Sequence, residues 1–164
     1  DQPRSRGLGD VYKRQVRSLG GFRTLPDYSF DTMPSDYASL VLIGGMQWQS
    51  PEAERIFPIV QDAFEKGKVI GGICNAASFL CAHGFLNHVK HTGNTLAVLK
   101  QWGGERYTNE DGYLEKQAVG DKNIVTANGT GYLEFTRELL LALKADTQEK
   151  IEAFYDFSKN GLVR

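Results

Sequence analysis

Short apolar runs alternate with stretches of helical period along most of the chain. The runs are Ser39-Leu40-Val41-Leu42-Ile43, closed by Gly44-Gly45, then Lys68 to Ile73, then Ile124-Val125-Thr126-Ala127. Each is too short for a helix and is bounded by turn residues, which predicts strands, the first of them buried in a parallel sheet. Between the first two, Ser50-Pro51-Glu52-Ala53 carries the marks of a helix start: Ser at the N-cap, Pro at the first helical position, acids in the first turn. Ile56, Ile59, Val60 and Phe64 continue it at helical spacing, Pro58 either kinks it or shifts its start, and Gly67 ends it. Asn75 to His83 predicts a second helix, with Gly84 just past its end.

Later segments are less regular. His88 to Thr92 reads as a short strand and Leu96 to Trp102 as a helical turn or two. Arg106-Tyr107 and Lys116 to Val119 read as extended pieces around the turn-like Asn109 to Gly112, and Asp121-Lys122-Asn123 turns into the last strand. Tyr132 to Lys144 predicts an amphipathic helix with Leu133, Leu139, Leu140 and Leu143 on its inner face. Asp146-Thr147-Gln148-Glu149 predicts a capping box that opens a final helix, stopped at Asn160-Gly161. Near the start, Val16 to Asp31 alternates loosely and reads as an extended segment or hairpin. Strand, helix, strand, helix with short connections is βαβ packing, so the fold class is α/β with a mainly parallel sheet.

Residues 1–15 have no apolar period, and Asp10-Val11-Tyr12-Lys13-Arg14-Gln15 matches one reading frame of a transposon end used in preparing sequencing libraries. The segment is either an ordinary polar tail or, as that match favours, a non-native N-terminal segment whose presence would leave the true N-terminus missing. The single domain then runs over residues 16–164.

Composition acts mainly by exclusion. A chain of 164 residues suffices for one domain with a core. Nineteen Lys and Arg against twenty Asp and Glu leave a formal charge of -1, so no basic field points to nucleic acid or a membrane surface. No apolar run approaches the roughly 20 residues of a membrane span. Two cysteines seven apart make no disulfide framework, and no Cys/His grouping has zinc spacing. Neither a metal nor another cofactor is therefore expected, and a reducing, cytoplasmic setting is the default.

Chemistry is expected beyond the carboxyl ends of the strands, where open α/β sheets place their ligands. Three segments reach that edge: Gly44-Gly45, Cys74-Asn75, and Asn128-Gly129-Thr130-Gly131. Cys74 is the centre, because a thiol on a sharp strand-to-helix turn sits near unpaired N–H groups and the positive end of a helix dipole, and both favour thiolate. The Asn75 N–H and one from Gly44 or Gly45 are candidate oxyanion donors. Cys81, two turns further along the helix among apolar residues, reads as packing. A thiolate nucleophile also wants a base or an orienting acid. The chain has three histidines. His83 ends the elbow helix and reads as structural, His88 flanks the next strand, and His91 is the candidate base.

These residues resemble a family. Gly72-Ile73-Cys74-Asn75-Ala76-Ala77-Ser78-Phe79-Leu80-Cys81-Ala82-His83-Gly84-Phe85-Leu86 is similar to the nucleophile-elbow signature of the DJ-1/PfpI family, within the class I glutamine amidotransferase-like superfamily. Ile43-Gly44-Gly45 is similar to its Pro-Gly-Gly turn, and Ile124 to Phe135 to its last-strand signature. The resemblance covers roughly Asp36 to Leu143. It implies a flavodoxin-like three-layer sandwich, often a homodimer, acting on a small-molecule substrate. Family activities include glyoxalase or deglycase chemistry, peptidase activity, and redox sensing at the elbow cysteine.

Several positions depart from the pattern. Many members have His after the elbow cysteine, where this chain has Asn75. Members of the DJ-1 type can place a His in the segment after the elbow helix, a position that falls here at Gly93 or Asn94. His91 lies two residues before Gly93, so a persisting strand points both to one side. Amidotransferases carry His and Glu after the last strand; Asn128 to Tyr132 has neither arrangement, so glutamine hydrolysis is not expected. The family also takes a Glu beside the cysteine from its first strand-helix unit, and no such unit is read in this chain, which implies N-terminal truncation. The expected function is a cysteine-dependent hydrolase or glyoxalase-like enzyme acting on small carbonyl compounds. The alternatives are a non-enzymatic cysteine redox sensor and an inert fold used for dimerisation.

Overall fold

A computed structural model of the chain describes residues 16–18 and 20–162. The segment read as foreign, 1–15, lies outside the described residues. The chain divides into two compact units, Asp1–Asp36 and Tyr37–Arg164. In the first, β1 (Val16–Arg17) pairs antiparallel with β2 (Arg23–Thr24). The turn between them has Gly21 at φ 84°, and the Ser18 N–H donates to the Phe22 carbonyl (2.9 Å). The alternating residues thus resolve into a short hairpin; the stretch from Leu25 to Asp36 has turns but no strand.

In the second unit, β3 (Ser39–Leu42), β4 (Val69–Ile73), β5 (Ala118–Asp121) and β6 (Ile124–Ala127) form one sheet in the order β3-β4-β6-β5. β3, β4 and β6 run parallel, with Leu42 opposite Gly72 and Ile73 opposite Ala127. β5 runs antiparallel to β6 through the turn at Lys122, whose φ is 52°. Two-residue alternation splits the sheet's side chains between two cores. Leu42, Ile70 and Ile124 pack on one face with α1 (Phe57–Glu65), α2 (Asn75–Ala82) and α3 (Leu96–Gly103). Val69, Val125 and Ala127 pack on the other with Phe135 of α4 (Tyr132–Leu143). α5 (Gln148–Asn160) lies against α4, where Arg137 grips Glu152 through two bonds of 2.5 and 2.6 Å, and Lys159 and Tyr155 both reach Glu134. The result is the three-layer, flavodoxin-like arrangement expected of the α/β pattern.

Adjacent glycines in β4 set the spacing of the layers. A Cβ at Gly71 would lie 2.9 Å from both Phe135 and Leu139 on α4. A Cβ at Gly72, facing the other way, would lie 2.7 Å from Leu80 on α2. Neither glycine has a positive φ, so their function is close packing rather than backbone freedom.

Several expectations are corrected. The first strand is parallel but not buried: among the described residues β3 is an outer strand, and Val41, on the face away from α1, is 38% exposed. Ser50 does not cap the first α-helix; a 3-10 turn (Ala53–Ile56) follows it, and α1 starts at Phe57 because Pro58 has no N–H and fits only the first turn. The proposed strand at His88–Thr92 reduces to one bridge, His91 to Tyr113, preceded by turns. Arg106 closes a 3-10 turn rather than an extended piece, whereas the turn read at Asn109–Gly112 is present as a 3-10 turn. On α4 the inner residues are Phe135, Leu139, Ala142 and Leu143, while Leu133 turns toward α5. The last helix is capped by Thr147, whose Oγ1 accepts from the Lys150 N–H (3.5 Å), one residue later than the capping box predicts.

Candidate functional site

β4 ends at Ile73, and Cys74 makes the turn into α2. Its N–H donates to the Ala127 carbonyl (2.9 Å), prolonging the ladder to β6, while its own carbonyl accepts from the Ala77 N–H (3.0 Å) and opens the helix. Held at both ends, Cys74 adopts φ 61° and ψ -130°, a conformation that favours glycine. This strain is what lifts the half-buried thiol off the sheet edge, as the elbow reading anticipated.

The neighbouring segments close on the thiol through glycines. A Cβ at Gly44 would lie 2.9 Å from Cys74 Cβ, and one at Gly129 would lie 3.2 Å from Cys74 Sγ. Asn75 Nδ2 donates to the Gly45 carbonyl (3.0 Å), which ties the β3 turn to the elbow. Trp48 supports that turn from beneath: its indole N–H donates to the Ile43 carbonyl (2.9 Å) and its ring packs 5.1 Å from Phe79 of α2. The three sheet-edge segments therefore meet at Cys74. The Asn75 N–H belongs to the first turn of α2, where backbone donors have no helical acceptor.

A fourth segment joins them. Asn94 Nδ2 lies 3.5 Å from Cys74 Sγ and 3.1 Å from Asn75 Oδ1, and Asn94 Oδ1 accepts from the Gly129 N–H (2.9 Å). Asn94 also lines an open cleft of about 960 Å³ beside the elbow, with Tyr113, Glu115, Lys116, Gln117 and Asn128. Sequence reasoning reached this position only as the place of a family histidine and assigned Asn94 no role. The available signal was its amide: a side chain that both donates and accepts, next to a glycine, after the elbow helix.

His91 is not brought to Cys74. It is fully buried, with Nδ1 2.9 Å from the Val89 carbonyl and Nε2 2.7 Å from the Tyr107 hydroxyl. A carbonyl only accepts, so Nδ1 carries the proton and Nε2 accepts from Tyr107 in the neutral ring. Burial lowers the His91 pKa below its ordinary value and raises that of Tyr107. Both ring nitrogens are thus committed to the interior, and the expectation of His91 as the base is corrected. His83 caps α2 at its C-terminus, packed at a tilt between Phe57 and Phe79 with Nε2 3.4 Å from Glu54. His88 is exposed. Cys81 is fully buried, donates to the Leu99 carbonyl (3.4 Å), and has its pKa pushed up to about 12 by burial. Met46 and Tyr132 are exposed and line neither core nor cleft. Among the described residues, no group of His, Cys, Asp and Glu is arranged to hold a metal ion, and no helix is long and apolar enough to cross a membrane.

Fold and site together define a flavodoxin-like α/β protein with a strained cysteine at the strand-to-helix turn. The chain belongs to the DJ-1/PfpI family, whose model matches residues 6–142. It is 40% identical over 146 residues to the uncharacterized protease YdeA of Bacillus subtilis, covering 89% of this chain and 73% of that one. It is 33% identical over 150 residues to the uncharacterized protease YoaZ of the same organism, covering 91% and 71%. Among solved structures, the thiJ/pfpI family protein from Bacillus anthracis superposes with a TM-score of 0.85 at 31% identity, covering 92% of this chain and 71% of that one. The DJ-1 superfamily protein Atu0886 from Agrobacterium tumefaciens superposes with a TM-score of 0.78 at 36% identity, covering 88% and 76%.

Proposed function

We propose that the protein is a cysteine-dependent enzyme acting on small carbonyl compounds, with Cys74 as nucleophile. The observation that carries this reading is the strained backbone at Cys74, φ 61° and ψ -130°, which holds the thiol half-buried between Gly44 and Gly129. In the proposed step the thiolate sulfur bonds to the carbonyl carbon and the C=O electron pair moves to oxygen. The resulting oxyanion is held by the Asn75 N–H and by that of Gly44 or Gly45, then takes a proton from water. Two relatives are named as uncharacterized proteases, so a peptide belongs among the substrates assayed. Glutamine amidotransfer is not part of the proposal, because the turn after β6, Asn128 to Tyr132, offers neither His nor Glu. A cytoplasmic homodimer completes the reading, since family members commonly form dimers.

Turnover of a glyoxal or a peptide by the wild type, lost in Cys74→Ser, is the expected result; turnover that survives the substitution overturns the proposal. A second reading, redox sensing by oxidation of Cys74, is favoured by one observation: the hydrogen-bond partner found at Sγ is the donor Nδ2 of Asn94. A peroxide-induced mass increase confined to Cys74, without turnover of either substrate, selects that reading.

A further inference from the structure

The side-chain amides around Cys74 form a chain whose direction is set at both ends by the backbone. At one end the Gly129 N–H, which only donates, meets Asn94 Oδ1 at 2.9 Å. At the other the Gly45 carbonyl, which only accepts, meets Asn75 Nδ2 at 3.0 Å. Between them Asn94 Nδ2 donates to Asn75 Oδ1 at 3.1 Å. Flipping either amide would set donor against donor or acceptor against acceptor, so neither is free to turn. The group directed at Cys74 Sγ, 3.5 Å away, is therefore an N–H donor and never an acceptor.

The segment carrying Asn94 is fixed as well. The Thr92 N–H donates to Thr126 Oγ1 (2.8 Å) on β6, and Thr92 Oγ1 donates to the Lys116 carbonyl (2.9 Å). His91, one residue earlier, is locked to Val89 and Tyr107. Asn94 is thus held by the anchored segment before it and by its own amide bonds.

We infer that Asn94 is the residue that holds the Cys74 sulfur in its anionic form, through a donor kept pointing at Sγ by the Gly129–Asn94–Asn75–Gly45 amide chain. The inference rests on Cys74 being the reactive thiol. A fixed N–H donor stabilises thiolate and cannot act as a base. The segments closing on Cys74 at Gly44-Gly45 and Asn128 to Thr130 contribute no titratable side chain. The charged side chains facing the cleft that Asn94 lines are Glu115 and Lys116, which Tyr113 accompanies.

The test is the rate of Cys74 alkylation by iodoacetamide across pH, followed by peptide mass so that Cys81 is counted separately, in wild type, Asn94→Ala and Asn94→Asp. Removing the donor in Asn94→Ala moves the midpoint up by about one pH unit and slows alkylation below the midpoint about tenfold. Asn94→Asp keeps the shape and an acceptor for the Gly129 N–H, but turns a carboxylate oxygen toward sulfur, so its midpoint rises further. A merely structural Asn94 predicts lower melting temperatures with an unmoved pH profile. A fast wild-type thiol with unmoved midpoints in both variants overturns the inference and leaves the Cys74 reading intact. A wild-type Cys74 that alkylates no faster than Cys81 overturns both. Should Asn94→Ala fail to fold, the similarly sized Asn94→Leu, which removes the donor without adding a charge, takes its place, with an unmoved midpoint overturning the inference.

Discussion

Replacing Cys74 by glycine should make the protein more stable while removing its thiol. At φ 61° and ψ -130° an L-residue carries about 1–3 kcal/mol of backbone strain that glycine does not. Glycine gives back about 0.5–1 kcal/mol through the greater freedom of the unfolded chain. The Cys74 side chain makes no capping bond to α2, so no cap is lost. The net expectation for Cys74→Gly is a gain of up to about 2.5 kcal/mol, or a melting temperature up to several degrees higher for a chain of 164 residues. Cys74→Ala keeps the Cβ and with it the strain, so it should show no such gain. Urea unfolding of both variants beside the wild type, with the denaturant slope unchanged, measures the difference. An alanine variant as stable as the glycine variant would refute the claim that the elbow stores strain.

Thiol titration of the native protein should find Cys74 reacting quickly and Cys81 only after denaturation, since burial pushes Cys81 up to about 12; two equally fast thiols would contradict the packing role. Gly44→Ala should destabilise by about 1–3 kcal/mol and slow Cys74 alkylation, because the new Cβ would lie 2.9 Å from Cys74 Cβ and 3.3 Å from the Ile73 carbonyl oxygen, neither of which can swing away. His91 is buried neutral with its pKa lowered from 6.5, so below about pH 6.5 the unfolded chain gains a proton that the native chain does not. Its contribution to stability is therefore complete above that pH and is lost as pH falls through the lowered native value. Denaturant midpoints at pH 7 and pH 5 should differ less in His91→Gln than in wild type; an equal difference would show that His91 does not report on folding.

The sequence by itself determined the elements that local chemistry controls. Apolar runs too short for helices became β3, β4 and β6, and Gly67 and Gly84 took the positive φ that ends a helix. The apolar strand running into Cys74 and the small side chains at the start of α2 made the elbow legible in the sequence, because a strand, a turn and a helix are each encoded within a few residues. What only the tertiary structure decided was which distant residue meets the sulfur. The two-residue argument that placed His91 beside Gly93 assumed a continuing strand, but pairing there is a single bridge, and the chain after it follows side-chain bonds to Thr126 and Gly129 instead. Without a ladder to enforce alternation, His91 turned inward to Tyr107 and Asn94 turned to Cys74. The outer position of β3 among the described residues was likewise settled by pairing between segments far apart in the chain, whereas β5 reverses through a local hairpin at Lys122. Periodicity fixes which face of an element is apolar; it carries no information about which partner that element will find, and the partner decides the chemistry at Cys74.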